Sequence, residues 1–195
     1  MGLVEIRDKG KTWRALRQGL DEMASERTTR EAAIDETIAR TAIQALLDAY
    51  VDVVNRRQWG ELSALFLPDA RIELATLNRG PLVLVGPEAL GRFIGDFVAR
   101  LAFFQFVPLS SRLELRLDED GALGRHFISE YRWDEAGDRF TRVFGVYRDR
   151  YRRIDGRWLF AHRAFEPLLS TSAAGSDLGV VGYPIEPTRF LASDD

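Results

Sequence analysis

Apolar residues follow two different spacings along this chain, and the change falls near residue 68. Trp13, Leu16, Leu20 and Met23 recur every three or four residues within Thr12 to Ser25, which predicts one short amphipathic helix. Thr28 followed by Glu31 reads as a capping box, in which each side chain satisfies an orphan amide of a helix start. It opens a longer helix whose buried stripe passes through Ile34, Ile38, Ile43, Leu46, Leu47, Tyr50, Val53 and Val54 and ends near Asn55. A third helix carries Trp59, Leu62, Leu65 and Phe66 on one face and closes at Pro68, because proline cannot continue the hydrogen-bond ladder.

The period then drops to two. Arg71 to Leu74 alternates and Pro81 to Val85 is a short apolar run, so two brief strands are predicted there. Gly86-Pro87-Glu88 starts a further helix that reaches about Leu101 through Phe93, Phe97 and Val98. From Phe104 onward the chain reads as a meander of four antiparallel strands, turning at Asp118–Gly121, Asp134–Asp138 and Asp155-Gly156. The last is the strongest hairpin signal, since Asp-Gly tolerates the positive φ values of a type I′ turn. Helices with one apolar stripe must bury it, so the expectation is an α+β fold in which helices close the concave face of a long curved sheet. The expected organisation is a helical extension over 1–30, one domain over 31–167 and an irregular arm over 168–195.

Register decides what the sheet gathers. With Asp155 and Gly156 as the two loop residues, Tyr151 pairs with Phe160, Asp149 with His162 and Tyr147 with Ala164, and direct partners share a side. One face then carries Tyr147, Asp149, Tyr151, Trp158, Phe160 and His162, while Arg148, Arg150, Arg152 and Arg163 lie on the other, toward solvent or another subunit. A one-residue slip would break this pairing. The preceding strand offers His126, Ile128, Glu130 and Arg132 on one side, without fixing which side faces the cavity.

The 195 residues are enough for one good core and too few for two ordinary domains. A net charge of −3 argues against nucleic acid and membrane surfaces as partners. Of the 27 basic residues only Lys9 and Lys11 are lysines, a compositional bias before it is a function. There is no cysteine, which excludes disulfides, thiolate nucleophiles and cysteine-based metal sites. No apolar run has the length of a membrane span or of a secretory leader, so the expected location is cytoplasmic. The histidine and carboxylate spacing is not diagnostic of a metal triad, and no metal or other cofactor is expected.

Four segments carry a resemblance: Tyr50-Val51-Asp52-Val53-Val54-Asn55-Arg56-Arg57-Gln58-Trp59, Leu65-Phe66-Leu67-Pro68-Asp69-Ala70, and Gly145-Val146-Tyr147-Arg148-Asp149-Arg150-Tyr151 with Asp155-Gly156-Arg157-Trp158. Over roughly Ile38 to Pro167 the chain resembles the SnoaL-like branch of the NTF2-like superfamily, whose fold is an α+β cone enclosing an apolar pocket. That family holds cofactor-free dehydratases, isomerases, dehydrochlorinases, cyclases and lyases, together with members without catalysis. The resemblance places Tyr50 at a catalytic tyrosine, Glu130 near the dehydratases' aspartate and Asp149 near the isomerases' second acid. It also puts Leu74 where the isomerases have a basic aspartate and Phe106 where many dehydratases and dehydrochlorinases have a histidine. His126, Glu130 and Arg132 are thereby turned toward the cavity.

The expected catalytic set is therefore Tyr50, Glu130, Asp149 and His162. Asp149 would orient His162 as a base, and Glu130, desolvated among aromatic rings, would suit acid–base work. His126, Arg132, Tyr147, Phe106 and Trp59 are assigned to substrate binding. The expected reaction is elimination of water or a small carbonyl fragment from a hydrophobic, aromatic or polycyclic hydroxylated small molecule. An isomerase or polyketide-type cyclase with the same groups is the alternative, and a non-catalytic binding or assembly domain is another. A closed apolar cavity with convergent polar groups favours an enzyme. A homo-oligomer, dimer or trimer, is expected.

Overall fold

In a computed structural model the described residues are 5–76, 79–134, 136, 139–172 and 179–180. The elements are α1 (Glu5–Arg56), a 3-10 helix (Trp59–Ala64), β1 (Phe66–Thr76), β2 (Arg79–Val85), α2 (Pro87–Val98), β3 (Phe103–Arg116), β4 (Gly121–Asp134), β5 (Arg139–Ile154), β6 (Arg157–Ser172) and the two-residue β7 (Gly179–Val180). The chain divides into two compact units, Met1–Thr41 and Ala42–Asp195. Among the described residues no helix is long and apolar enough to cross a membrane.

The first unit is helical throughout its described residues, so the expected break at Thr28 is absent. The Thr28 hydroxyl donates to the Ala24 carbonyl at 2.9 Å, and that of Thr29 to Ser25 at 3.0 Å. Both threonines thus bond back into the preceding turn, as mid-helix threonines do, and cap nothing. No proline precedes Pro68 to interrupt the run. Ile34 and Ile38, expected in the buried stripe, are 48% and 61% exposed, because a unit made of one helix has no second layer to bury them.

The second unit is a strongly curved, unclosed mixed sheet in the order β2-β1-β6-β5-β4-β3, with β7 paired to β6. β1 and β6 are parallel and the remaining pairs antiparallel. The C-terminal part of α1 and α2 lie on the concave side, where Ile43, Tyr50, Val54, Leu90 and Val98 are buried. The Asn55 amide clamps α1 to β3, donating to the Phe106 carbonyl and accepting from its N–H. The Asp155-Gly156 turn has φ of 49° and 77°, as the two-residue hairpin requires.

Three expected boundaries change. The helix expected over Trp59 to Phe66 is a six-residue 3-10 turn, and Pro68 lies inside β1. It is tolerated there because the β1–β6 ladder is interrupted between Phe66 and Arg71. β6 continues five residues beyond Pro167, so that part of the expected arm is strand; its residues 173–178 and 181–195 lie outside the described residues.

The register correction matters most. The hairpin pairs as expected from Ile154–Arg157 to Tyr151–Phe160, and then Arg150 faces His162 and Asp149 faces Arg163. Ala161 is the extra residue of a β-bulge, which reverses the faces of His162 to Pro167, up to a second bulge at Leu168. His162 leaves the concave face, and Arg163 enters it.

Candidate active site

A cavity of about 260 Å³ opens on the concave face. Its wall is hydrocarbon from every packed layer: Val54 of α1, Ile72 and Leu74 of β1, Phe93 and Phe97 of α2, Phe104 and Phe106 of β3. Five polar residues converge on it, namely Tyr50, Glu130, Arg132, Tyr147 and Arg163.

Arg163 is the centre. It is 1% exposed, and its Nε and Nη2 donate to the two oxygens of fully buried Asp149 at 2.8 and 2.6 Å. Its guanidinium carbon lies 4.2–4.3 Å from the ring centres of Tyr50, Tyr147 and Phe160, where the negative ring faces favour a cation. Burial pulls its pKa down, but the charge and hydrogen bonds of Asp149 outweigh this, so the residue stays a cation. Nη1 is buried without a hydrogen-bond partner of normal geometry among the described residues. A buried donor left open costs roughly 1–3 kcal/mol, which a ligand oxygen would recover.

The flanking hydroxyls of Tyr50 and Tyr147 lie within hydrogen-bonding reach of each other, and that of Tyr50 also meets Arg163. Burial pushes the phenols of Tyr50 and Tyr147 above their usual range, the second well above it, so both remain proton donors at neutral pH. Opposite them, Glu130 accepts two hydrogen bonds from Arg132, both on Oε2. Arg132 is in turn packed 4.8 Å from the Phe97 ring centre.

Beneath Arg163 the concave face is filled by a directed chain. The Tyr151 hydroxyl donates to Asp149 Oδ2 at 3.1 Å, which leaves its oxygen to accept from His126 Nε2 at 2.7 Å. His126 Nδ1 then accepts from Ser111 at 2.8 Å, the tautomer following from the direction of the chain. At Gly124 an added Cβ would stand 2.3 Å from His126 Nε2, so only glycine leaves room for the ring.

Burial pushes the His126 pKa down to about 4; Asp149 pulls it back up and Arg163 adds to the fall. An unfolded imidazole titrates near 6.5, so between those values the unfolded chain holds the extra proton. Stability should therefore fall as pH drops from about 6.5 toward 4 and stay flat with respect to this group above about pH 7. His162, also lowered chiefly by burial, adds to the slope in the same direction. Urea unfolding across this range is expected to give a shallower slope for His126→Asn than for the parent; equal slopes would remove His126 as the source.

Of the expected catalytic set, Tyr50 and Glu130 line the cavity together. Asp149 lies under it as the anchor of Arg163, not as an orienter of His162. His162 sits on the convex side against Glu73, 3.1 Å from its Oε1, moved there by the bulge at Ala161. Of the expected binding residues, Phe106, Arg132 and Tyr147 line the cavity, and His126 lies below it. Trp59 packs on Gly91 and Gly95 of α2 and faces a separate groove, because the 3-10 helix abuts the far side of α2. Arg148, expected toward solvent, is buried and paired with Glu166 at 3.1 Å.

Arg163 is the residue the alternation missed. One signal was available: Phe160 and Phe165 both belong on the apolar side yet are five residues apart, so strict alternation must break once between them. Among the described residues no group of three or more acidic or histidine side chains is placed to hold a metal ion.

Residues 35–164 match the profile of the SnoaL-like domain family. Curated protein sequences yield no match. Among solved structures, the hexachlorocyclohexane dehydrochlorinase LinA-type3 of Novosphingobium barchaimii is similar at 26% identity and a TM-score of 0.64, over 73% of this chain and 94% of that one. A putative scytalone dehydratase of Novosphingobium aromaticivorans shares the fold at 18% identity and a TM-score of 0.61, over 70% and 88%. An NTF2-like protein with a cystatin-like fold from the same organism does so at 16% identity and 0.60, over 72% and 89%.

Proposed function

The chain belongs to the SnoaL-like domain family, and on that premise we propose that it is a cofactor-independent lyase, eliminating water or a small carbonyl fragment from a neutral hydroxylated carbonyl compound of one or two rings. The observation that carries this reading is the open Nη1 of Arg163 beside two phenolic hydroxyls in an apolar cavity. Donors fixed in advance around one point stabilise an oxyanion as it forms, and in a dry site they do so strongly.

Charge narrows the substrate. Arg163 is balanced by Asp149 and Arg132 by Glu130, so the site has no net cation to hold a carboxylate. A carbonyl oxygen, neutral at rest and negative only as the reaction proceeds, matches donors of this kind. The volume falls just under the roughly 300–1,000 Å³ of pockets for drug-sized ligands, which favours one or two rings over a larger skeleton.

Glu130 is the carboxylate of the cavity, and neither histidine lines it. Both bonds from Arg132 fall on Oε2, so Oε1 is the oxygen to take the proton from the carbon next to the carbonyl. The C–H pair moves to form an enolate, whose oxygen is held by Tyr50 and Arg163, with the Tyr147 hydroxyl supporting Tyr50 from behind. The enolate then reforms the carbonyl and expels the β-hydroxyl, which takes the proton back from Glu130 and leaves as water. The likeness to a dehydrochlorinase at 26% identity supports elimination as the reaction class.

The test offers the purified protein a set of neutral cyclic β-hydroxy ketones and their carboxylate counterparts, with enone absorbance as the readout. Turnover confined to neutral compounds is expected. Turnover of the carboxylates alone would overturn the charge argument, and a shifted double bond without release of water would make the protein an isomerase.

A further inference from the structure

The first unit is a helix with an apolar stripe and nothing of its own to cover it. Leu20 and Met23 are 66% and 67% exposed, and Ile34 and Ile38 are exposed as well. In the sequence Trp13 and Leu16 continue the same spacing toward the N-terminus. The other face is polar and carries pairs one turn apart, such as Gln18 with Glu22 and Arg40 with Glu36. Such pairs add only a few tenths of a kcal/mol each, so most of the stability of a helix must come from burial of its apolar face.

We infer that this helix pairs antiparallel with the same helix of a second copy of the chain. Written as heptads, Trp13, Leu20, Arg27 and Ile34 occupy one seam position, and Leu16, Met23, Arg30 and Thr37 the other. A parallel pair would set Arg27 against Arg27 and Arg30 against Arg30 in adjacent layers, four cations on one seam. An antiparallel pair centred on Ser25 sets Arg27 against Met23, Arg30 against Leu20, and Ile34 against Leu16. Each arginine then lays its aliphatic stem along an apolar side chain and keeps its charge in water.

Charge along the helix favours the same direction. Residues 5–17 hold five basic and two acidic residues, and residues 18–41 hold three basic and six acidic. Antiparallel pairing lays the basic half of each copy on the acidic half of the other, and it brings Arg17 beside Glu31 twice. Parallel pairing lays like on like. Complementary charge of this kind sets partner and orientation more than affinity.

The chain has no cysteine, so an introduced one reports without background. Full-length chains carrying Leu20→Cys and, separately tagged, Arg30→Cys are mixed and oxidised gently. The expected product joins position 20 of one chain to position 30 of the other, while each variant alone stays uncoupled. In a parallel pair those positions are about 15 Å apart along the axis, too far for a disulfide. Arg17→Glu is expected to lower the 20–30 yield several-fold, and Arg17→Glu with Glu31→Arg to restore it. Links of 20 to 20 or 30 to 30, or a 20–30 yield no higher than in urea, would overturn the pairing.

Discussion

Arg163→Leu is expected to lower folding stability by about 3–5 kcal/mol, the usual consequence of removing one member of a buried ion pair. The variant leaves Asp149 fully buried with the Tyr151 hydroxyl as its donor and His126 nearby. It also strips three aromatic faces of the cation packed among them. Adding Asp149→Asn removes the stranded charge, and the double variant should regain much of the loss. The coupling between the two positions is expected to reach about 2–3 kcal/mol, the upper part of the range for residues in contact. Urea unfolding of the four proteins closes the cycle. Two small, additive losses would mean that the pair is not what holds the floor of the cavity. Turnover gives an independent reading, because the double variant recovers stability but still lacks Nη1, so it should fold and remain inactive.

Glu130→Gln is expected to reduce elimination by about 10²–10⁴-fold, the contribution of a well-placed general base. Glutamine keeps the length and shape of the side chain and can still accept a hydrogen bond from Arg132, so the fold should survive. The loss should appear in kcat with KM little changed, since the carbonyl contacts proposed for Tyr50 and Arg163 would remain. His162→Ala serves as the contrast. Its ring is outside the cavity, held by Glu73, and turnover should stay within about twofold of the parent. A large loss in His162→Ala with full activity in Glu130→Gln would reverse the assignment of the base.

Local chemistry made much of the sheet readable. Asp155-Gly156 announced its hairpin, the alternation from Arg71 to Leu74 announced β1, and Gly86-Pro87-Glu88 announced α2. The family followed from short segments that combine helix, turn and hairpin signals. The same local reading placed a helix start at Thr28, because a capping box within a helix looks like one at its end. It read Pro68 as a stop because sequence does not show where a ladder is left unpaired.

The site divides along the same line. Tyr50 and Glu130 could be placed from the sequence, one on an apolar helical stripe and the other on a strand position oriented by the resemblance. Arg163 could not, since its face depends on one extra residue at Ala161, and a period-two pattern contains no record of where a bulge falls. Burying a cation among three rings is unfavourable unless a carboxylate stands opposite, and only the folded sheet brings Asp149 there from 14 positions away. The order of residues thus made α2, the hairpin and the family legible. The packing of the strands decided which arginine became interior and which histidine was turned out, because those outcomes rest on contacts between distant positions.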